Sequence, residues 1–218
     1  MNRTIRLGRS ARTMLGLLVL AAVLIMAGCA PQAEEETAAA DEAAPARDTL
    51  RIAIGAEPES LDPVNMTSAP AATVGEHVVE RLIYMEEDGS LTPMLATSWE
   101  ANEDSTVWTF QIREGVTFHD GEPLNAAAVA ANLQRFVDPE VGAAYAFLLG
   151  TVESIEATGE YELTMSLSQP FAPILAHLSH SFIGIVSPAQ LEGLGPADTF
   201  EIPVGTGPYV MTEWSRGE

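Results

Sequence analysis

The imidazole and thiol groups in this chain are four histidines (His77, His119, His177 and His180) and one cysteine, Cys29. His177 and His180 are three apart, so on a helix both rings could face one way and share a metal. No cysteine or acid at matching spacing completes that set, which reads the pair as satisfied or exposed histidines. The lone cysteine excludes an intramolecular disulfide and a Cys-based zinc cluster. Gly205-Thr206-Gly207 is not a phosphate loop, because no lysine follows and no helix opens there. No G-x-S-x-G elbow exists to present a serine nucleophile. Acids are abundant, but a carboxylate-rich face is ordinarily just solvated. These residues give no reason to expect an enzyme, a metal or another cofactor.

Charge narrows the partners. The 218 residues carry 31 Asp and Glu against 10 Lys and Arg, for a net charge of −21. Nucleic acid is excluded, since phosphate binding needs a basic patch that releases counterions. With 47% hydrophobic and 19% charged residues, the chain can build a packed core. Four of the basic residues, Arg3, Arg6, Arg9 and Arg12, precede every acid, and there is no lysine at all. Two readings of that composition stay open. One is a GC-biased, Ala-rich genome. The other is life in salt, where carboxylates keep a surface hydrated and lysine stems are avoided. They differ in whether molar KCl raises the melting midpoint.

The beginning reads as an export signal. After the four arginines an apolar run extends from Met14 to Gly28. It is short of the roughly 20 residues a bilayer span needs and matches a secretory signal peptide. Its end, Met26-Ala27-Gly28-Cys29, resembles a bacterial lipobox, with Met26 where leucine is usual. In such a site the cysteine sulfur takes a diacylglycerol before cleavage, so Cys29 is the expected lipidation site. Residues 1–28 are then the signal peptide. Residues 29–49 form an acidic flexible tether, too poor in apolar side chains to offset the entropy of ordering.

From residue 50 the pattern is that of a domain. Leu50, Ile52 and Ile54 alternate as a strand. Val74, Val78, Val79, Leu82 and Ile83 recur at helical spacing, with Thr67 or Ser68 as cap and Pro70 in the first turn. Asp88-Gly89 is a turn. A meander follows in which Leu95, Thr97 and Trp99 share one face, Trp108, Phe110 and Ile112 another, and Val116 and Phe118 alternate likewise. Asn125 caps a helix that buries Val129, Leu133, Phe136 and Val137 and stops at Asp138-Pro139. Ile155, Leu163, Met165 and Leu167 suggest a second hairpin around Thr158-Gly159-Glu160. A helical stretch after Pro170 and an apolar strand over 182–186 complete the pass. Mixed α and β without a βαβ rhythm makes the class α+β.

The runs Glu59-Ser60-Leu61-Asp62-Pro63, Leu91 to Glu100, Trp108 to Gly121 and Pro203 to Tyr209 resemble the family 5 extracellular solute-binding proteins of ABC importers. The motifs cover most of residues 50–218 in the family's order. Ala128 departs from the pattern, because many members carry an acid on that helix; periodicity makes it a surface position. The resemblance implies a periplasmic-binding-protein-like fold of two lobes that close on a ligand, with a β-rich subdomain inserted in the first. Residues 50–69 and 170–218 would belong to lobe I and residues 70–169 to the insert, the second lobe being missing from this chain. A cleft with one wall would bind no peptide tighter than about millimolar, near −4 kcal/mol. His119 would serve as hairpin scaffold, and Tyr209 would pack in lobe I. Glu57 is the acid that oligopeptide receptors of this kind place at the ligand cleft. Trp99, Trp108 and Phe110 read as subdomain core rather than a ligand platform.

The implied protein is a monomeric, lipid-anchored, extracytoplasmic receptor, in the periplasm or at the cell surface. It would pass a small solute, a peptide first of all, to a permease and ATPase. Nickel, an oligosaccharide or another solute is the alternative within the family. A periplasmic peptidase, or an adhesion or sensing lipoprotein without transport, is the alternative outside it.

Overall fold

The computed structural model describes residues 49–217. The signal, the lipobox and the tether up to residue 48 lie outside the described residues. From residue 53 onward the chain packs as one unit.

A four-stranded antiparallel sheet organises that unit. It comprises β3 (Ala96–Ala101), β4 (Val107–Ile112), β5 (Val152–Ala157) and β6 (Glu162–Leu167) in the order β3-β4-β6-β5. Period-2 alternation forms the sheet as expected, with Trp108, Phe110 and Ile112 buried on β4 and Leu163, Met165 and Leu167 on β6. Across the ladder Phe110 faces Leu163 and Trp108 faces Met165. The helix α2 (Ala126–Val137) covers this apolar face. Asn125 caps it, its side-chain oxygen accepting the Ala128 amide at 2.9 Å, and Val129, Leu133 and Phe136 turn inward. Gln134 donates to the Ile155 carbonyl at 2.8 Å, tying the helix to strand β5. Leu61 and Val64 from the early crossing are buried too, and Ile174, Leu178, Ile183 and Ile185 join the same core from beyond β6.

Smaller elements surround it. A hairpin of β1 (Ile83–Met85) and β2 (Leu91–Pro93) turns at Asp88-Gly89, where Gly89 takes a φ of 82°. Helices α1 (Ala69–Gly75), α3 (Ile174–Leu178) and α4 (Pro188–Leu191) are short. Ser68 caps α1, Pro70 sits in its first turn, and Ser187 caps α4.

Several expectations are corrected. Residues 50–54 carry no strand, because a strand needs a hydrogen-bonded neighbour and no described strand pairs with them. The helical spacing from Val74 to Ile83 yields only the seven residues of α1. Beyond Gly75 the backbone is claimed by non-local partners. Glu80 bridges Ile185, and the carbonyls of His77 and Val78 accept the amides of Tyr209 and Gly207 at 3.0 and 2.9 Å. A bulge between Ala96 and Ser98 breaks the shared face of Leu95, Thr97 and Trp99, leaving Thr97 exposed and Trp99 half-buried opposite Phe110. Val116 and Phe118 form no strand, only the flank of a turn bridged at Thr117 and Pro123, and Phe182–Val186 contributes one bridge rather than a strand. Ala128 is buried, since a second side of α2 is covered by the segment at Val186, held by Asn132 through 2.8 and 3.0 Å bonds.

The glycines at 205 and 207 owe their identity to this close packing. A Cβ on Gly205 would stand 2.0 Å from the Val78 carbonyl oxygen, and one on Gly207 2.7 Å from that of His77. His119 holds the segment from the other side: its amide donates to Gly205 O at 2.9 Å and its Nε2 to Gly207 O at 2.8 Å. The Phe-His-Asp-Gly turn and the Gly-Thr-Gly-Pro-Tyr run are thus two halves of one clamp. Tyr209 ends up exposed, its ring 5.7 Å from His77, rather than packed in a core.

Candidate functional site

Three loops that are distant in sequence converge beside α1. The first is the crossing from Glu59 to Ser68. Its acid, Glu59, accepts the amide and hydroxyl of Thr67, the latter at 2.9 Å, and the amide and hydroxyl of Ser68, the former at 3.0 Å. Burial raises the Glu59 pKa, but the bonds from Ser68 and Thr67 outweigh it and bring the carboxyl down to about 2. Ser68 meanwhile accepts the Ala71 amide as the cap of α1. Glu59 is therefore a structural acid whose charge is already spent on the loop. A shallow cleft next to it is walled by Asn65, Thr199, Phe200, Glu201 and Arg216.

The second loop follows α2. The Ala144 amide donates to the Val64 carbonyl at 2.9 Å, which fixes the chain just before Tyr145. The third runs from the end of α3 through His180 to Phe182. Tyr145 stacks on His180 with centroids 5.3 Å apart and planes at 29°, and lies 4.9 Å from Phe182. Phe182 packs with Met66 and Ala71, so the aromatic group rests on α1 and its leading loop. Phe147, 5.7 Å from Tyr145, is 70% exposed and forms the outer rim. The result is an aromatic ledge in which Tyr145 and His180 are partly exposed, Phe147 is exposed and Phe182 is the buried base.

Burial holds His180 below the ordinary histidine pKa, helped by the nearby charges of Arg81 and His177 and opposed by Glu76. His177 is occupied elsewhere, with its Nδ1 2.5 Å from the Leu148 carbonyl and its ring against Phe171. The two histidines three apart thus have separate partners. Among the described residues no group of three or more His, Cys, Asp and Glu is placed to hold a metal.

Of the residues singled out from sequence, Cys29 lies outside the described residues. Glu57 is exposed, and both of its oxygens stand 3.2 Å from the Gly217 amide. Trp108 and Phe110 are buried and Trp99 packs against them, as expected of a core. Tyr145, His180 and Phe182 were not legible as a site. Their only local signal is an i, i+2 pairing of rings in two loops, Tyr145 with Phe147 and His180 with Phe182.

Residues 90–218 match the family described as bacterial extracellular solute-binding proteins, family 5 middle. The chain belongs to that family. It is 32% identical over 202 residues to the glutathione-binding protein GsiB of Escherichia coli O1:K1, covering 92% of this chain and 36% of GsiB. Among solved structures it resembles AgaA of A. tumefaciens R10, in complex with agropinic acid (TM-score 0.67, 32% identity, 74% of this chain and 32% of AgaA). It also resembles NikZ of Campylobacter jejuni, in complex with Ni(L-His) (TM-score 0.71, 28% identity, 78% of this chain and 34% of NikZ). The resemblance read from the motifs holds, and the mixed α and β fold is that of these binding proteins. The chain spans about a third of the length of the curated relatives it matches.

The Glu59 network gives a pH-dependent prediction. A carboxyl lowered in the folded state stabilises it fully above the unfolded pKa, near 4.5, and loses that contribution as pH falls towards 2. Glu59→Gln should therefore be less stable than the parent at pH 7, with the gap closing by pH 2. Carbon-detected NMR of the Glu59 carboxyl should titrate near 2 and move up in Ser68→Ala; a midpoint near 4.5 in both proteins would contradict the network.

Proposed function

We propose that this chain is the N-terminal part of a lipid-anchored, extracytoplasmic substrate-binding component of an ABC importer, and that its solute is a peptide. The observation that carries the reading is the ledge of Tyr145, His180 and Phe147, partly open to solvent and seated on the buried Phe182, in a member of a solute-binding family. A preformed aromatic surface on a rigid support gains contact area with little entropy loss, whichever side chains the solute carries. Glutathione, the ligand in the name of GsiB, is itself a small peptide. Glu57 is proposed as a ligand contact: among the described residues its partner is one backbone amide, which a ligand ammonium could displace. Residues 50–69 and 170–218 are assigned to lobe I and residues 70–169 to the inserted subdomain.

Two measurements test this. In an NMR titration of the 218-residue chain, di- to pentapeptides should shift the ring signals of Tyr145 and Phe147. Tyr145→Ala should weaken the interaction by roughly twofold to tenfold, the scale of one aromatic pair. Unchanged ring signals, or an unchanged affinity in the variant, would refute the ledge as the site. For the anchor, Cys29→Ala should abolish labelling by a lipid precursor in cells and leave the signal uncleaved; persistent labelling would refute Cys29.

A further inference from the structure

The shallow cleft beside Glu59 carries a chemistry that the ledge does not use. It encloses about 340 Å³, and Arg216 is the only cation among the described residues that line it. The guanidinium carbon of Arg216 stands 3.9 Å from the centre of the Trp214 ring, so one planar group is stacked on another. Stacking occupies a face of the guanidinium and leaves the N–H donors around its edge for a planar acceptor. Its charge partner is Glu201, with Arg216 Nε and Glu201 Oε1 3.6 Å apart, beyond hydrogen-bond distance. The two side chains are 48% and 72% exposed, so the pair is weak and both groups are open to a solute. Glu59, the other acid lining the cleft, is already committed to Thr67 and Ser68. The wall itself is held, because the next residue, Gly217, donates its amide to Glu57 at 3.2 Å. Phe200, half-buried in the same cleft, has its ring 5.7 Å from the Arg135 guanidinium.

We infer that this cleft binds the carboxylate of a small solute on Arg216, with Trp214 bracing the guanidinium and Phe200 taking an apolar group of the same solute. The inference rests on the receptor reading above for its ligand class, and it uses no residue of the ledge. A carboxylate in the guanidinium plane makes two parallel N–H···O bonds, which the single 3.6 Å contact to Glu201 does not supply. Glu201 is therefore a weak resident competitor whose charge the solute displaces. A net charge of −21 opposes the approach of any anion and opposes a dianion more. The site accordingly fits a singly charged carboxylate better than a phosphate. Lysine in place of Arg216 keeps the charge but loses both the fork and the flat stacking surface.

The test is a pair of probes, N-acetylphenylalanine and N-acetylphenylalaninamide, added at constant ionic strength to the 218-residue chain. 1H–15N NMR follows the Trp214 indole N–H and the Arg216 Nε–H. The acid should move both signals and bind about tenfold more tightly than the amide, the scale of a bond to a charged group. Arg216→Lys should weaken the acid by roughly twofold to fivefold, the scale of one exposed stack. Glu201→Gln should tighten it by roughly twofold, the scale of one exposed ion pair. Both positions are exposed, so the fold should survive either change, with the Phe110 core signals unmoved. Equal affinities for acid and amide, or an Arg216→Lys protein that binds the acid as tightly as the parent, would overturn the inference. Tighter binding of inorganic phosphate than of the acid would overturn the carboxylate assignment. If di- to pentapeptides shift the Tyr145 ring while neither probe moves the Trp214 signal, the cleft fails and the receptor reading stands. Silence at both places would overturn both.

Discussion

A single fully buried carboxylate, Asp62, sets the geometry on which the rest of this unit depends. Arg135 on α2 meets it with two parallel bonds of 2.8 Å, Nη1 to Oδ1 and Nη2 to Oδ2. The Thr199 hydroxyl donates to Oδ2 at 3.1 Å and the Val64 amide to Oδ1 at 3.3 Å. Arg135 also donates to the Asp198 carbonyl and sits 5.7 Å over the Phe200 ring. Bidentate geometry and full use of the oxygens are what make a buried pair tolerable, and removing one partner leaves a charge stranded. The pair pins three segments at once: the early crossing, the last turn of α2 and the loop around Thr199. The consequence reaches the ledge in two steps. Asp62 fixes the turn Pro63–Asn65, and the Val64 carbonyl in that turn receives Ala144, the residue before Tyr145.

A second constraint works just beyond α1. Gly205 and Gly207 lie so close to the backbone at His77 and Val78 that no side chain fits. The Gly207 amide donates to the Val78 carbonyl, and the carbonyls of Gly205 and Gly207 accept from His119. Thr206 adds a 2.7 Å bond to Glu80. The clamp therefore draws the chain after Gly75 out of its helical spacing and sets the line along which Glu80 meets Ile185. His180 and Phe182 lie just before Ile185, so the clamp and the Asp62 pair approach the ledge from two directions.

How much of this the sequence made legible depends on whether the deciding contact was local. The alternation on β4 and β6, the Asn125 cap, the Asp88-Gly89 turn and the Thr158–Glu160 hairpin rest on residues close in the chain, and all formed as expected. The helix expected to run to Ile83 failed, because its second half is bound to residues more than a hundred positions away. Ala128 was misjudged for a related reason: α2 is covered on two sides, and periodicity alone assumes one. The family motifs were visible, yet their reason was not. Asp62 could be read as a turn former but not as the partner of Arg135, 73 residues on. The aromatic ledge was missed altogether, since its rings come from two loops whose meeting is decided by the core beneath them.

The most direct measurement is a double-mutant cycle on the Asp62–Arg135 pair, read by equilibrium denaturation together with the Tyr145–His180 ring contact in NMR. Asp62→Asn and Arg135→Met should each cost about 3–5 kcal/mol and weaken the Tyr145–His180 contact, because each strands a buried partner. The double variant should cost clearly less than the sum, since no charge is then left unpaired. Single variants within about 0.5 kcal/mol of the parent, with the ring contact unchanged, or costs that simply add, would show that the pair does not organise the fold or the ledge.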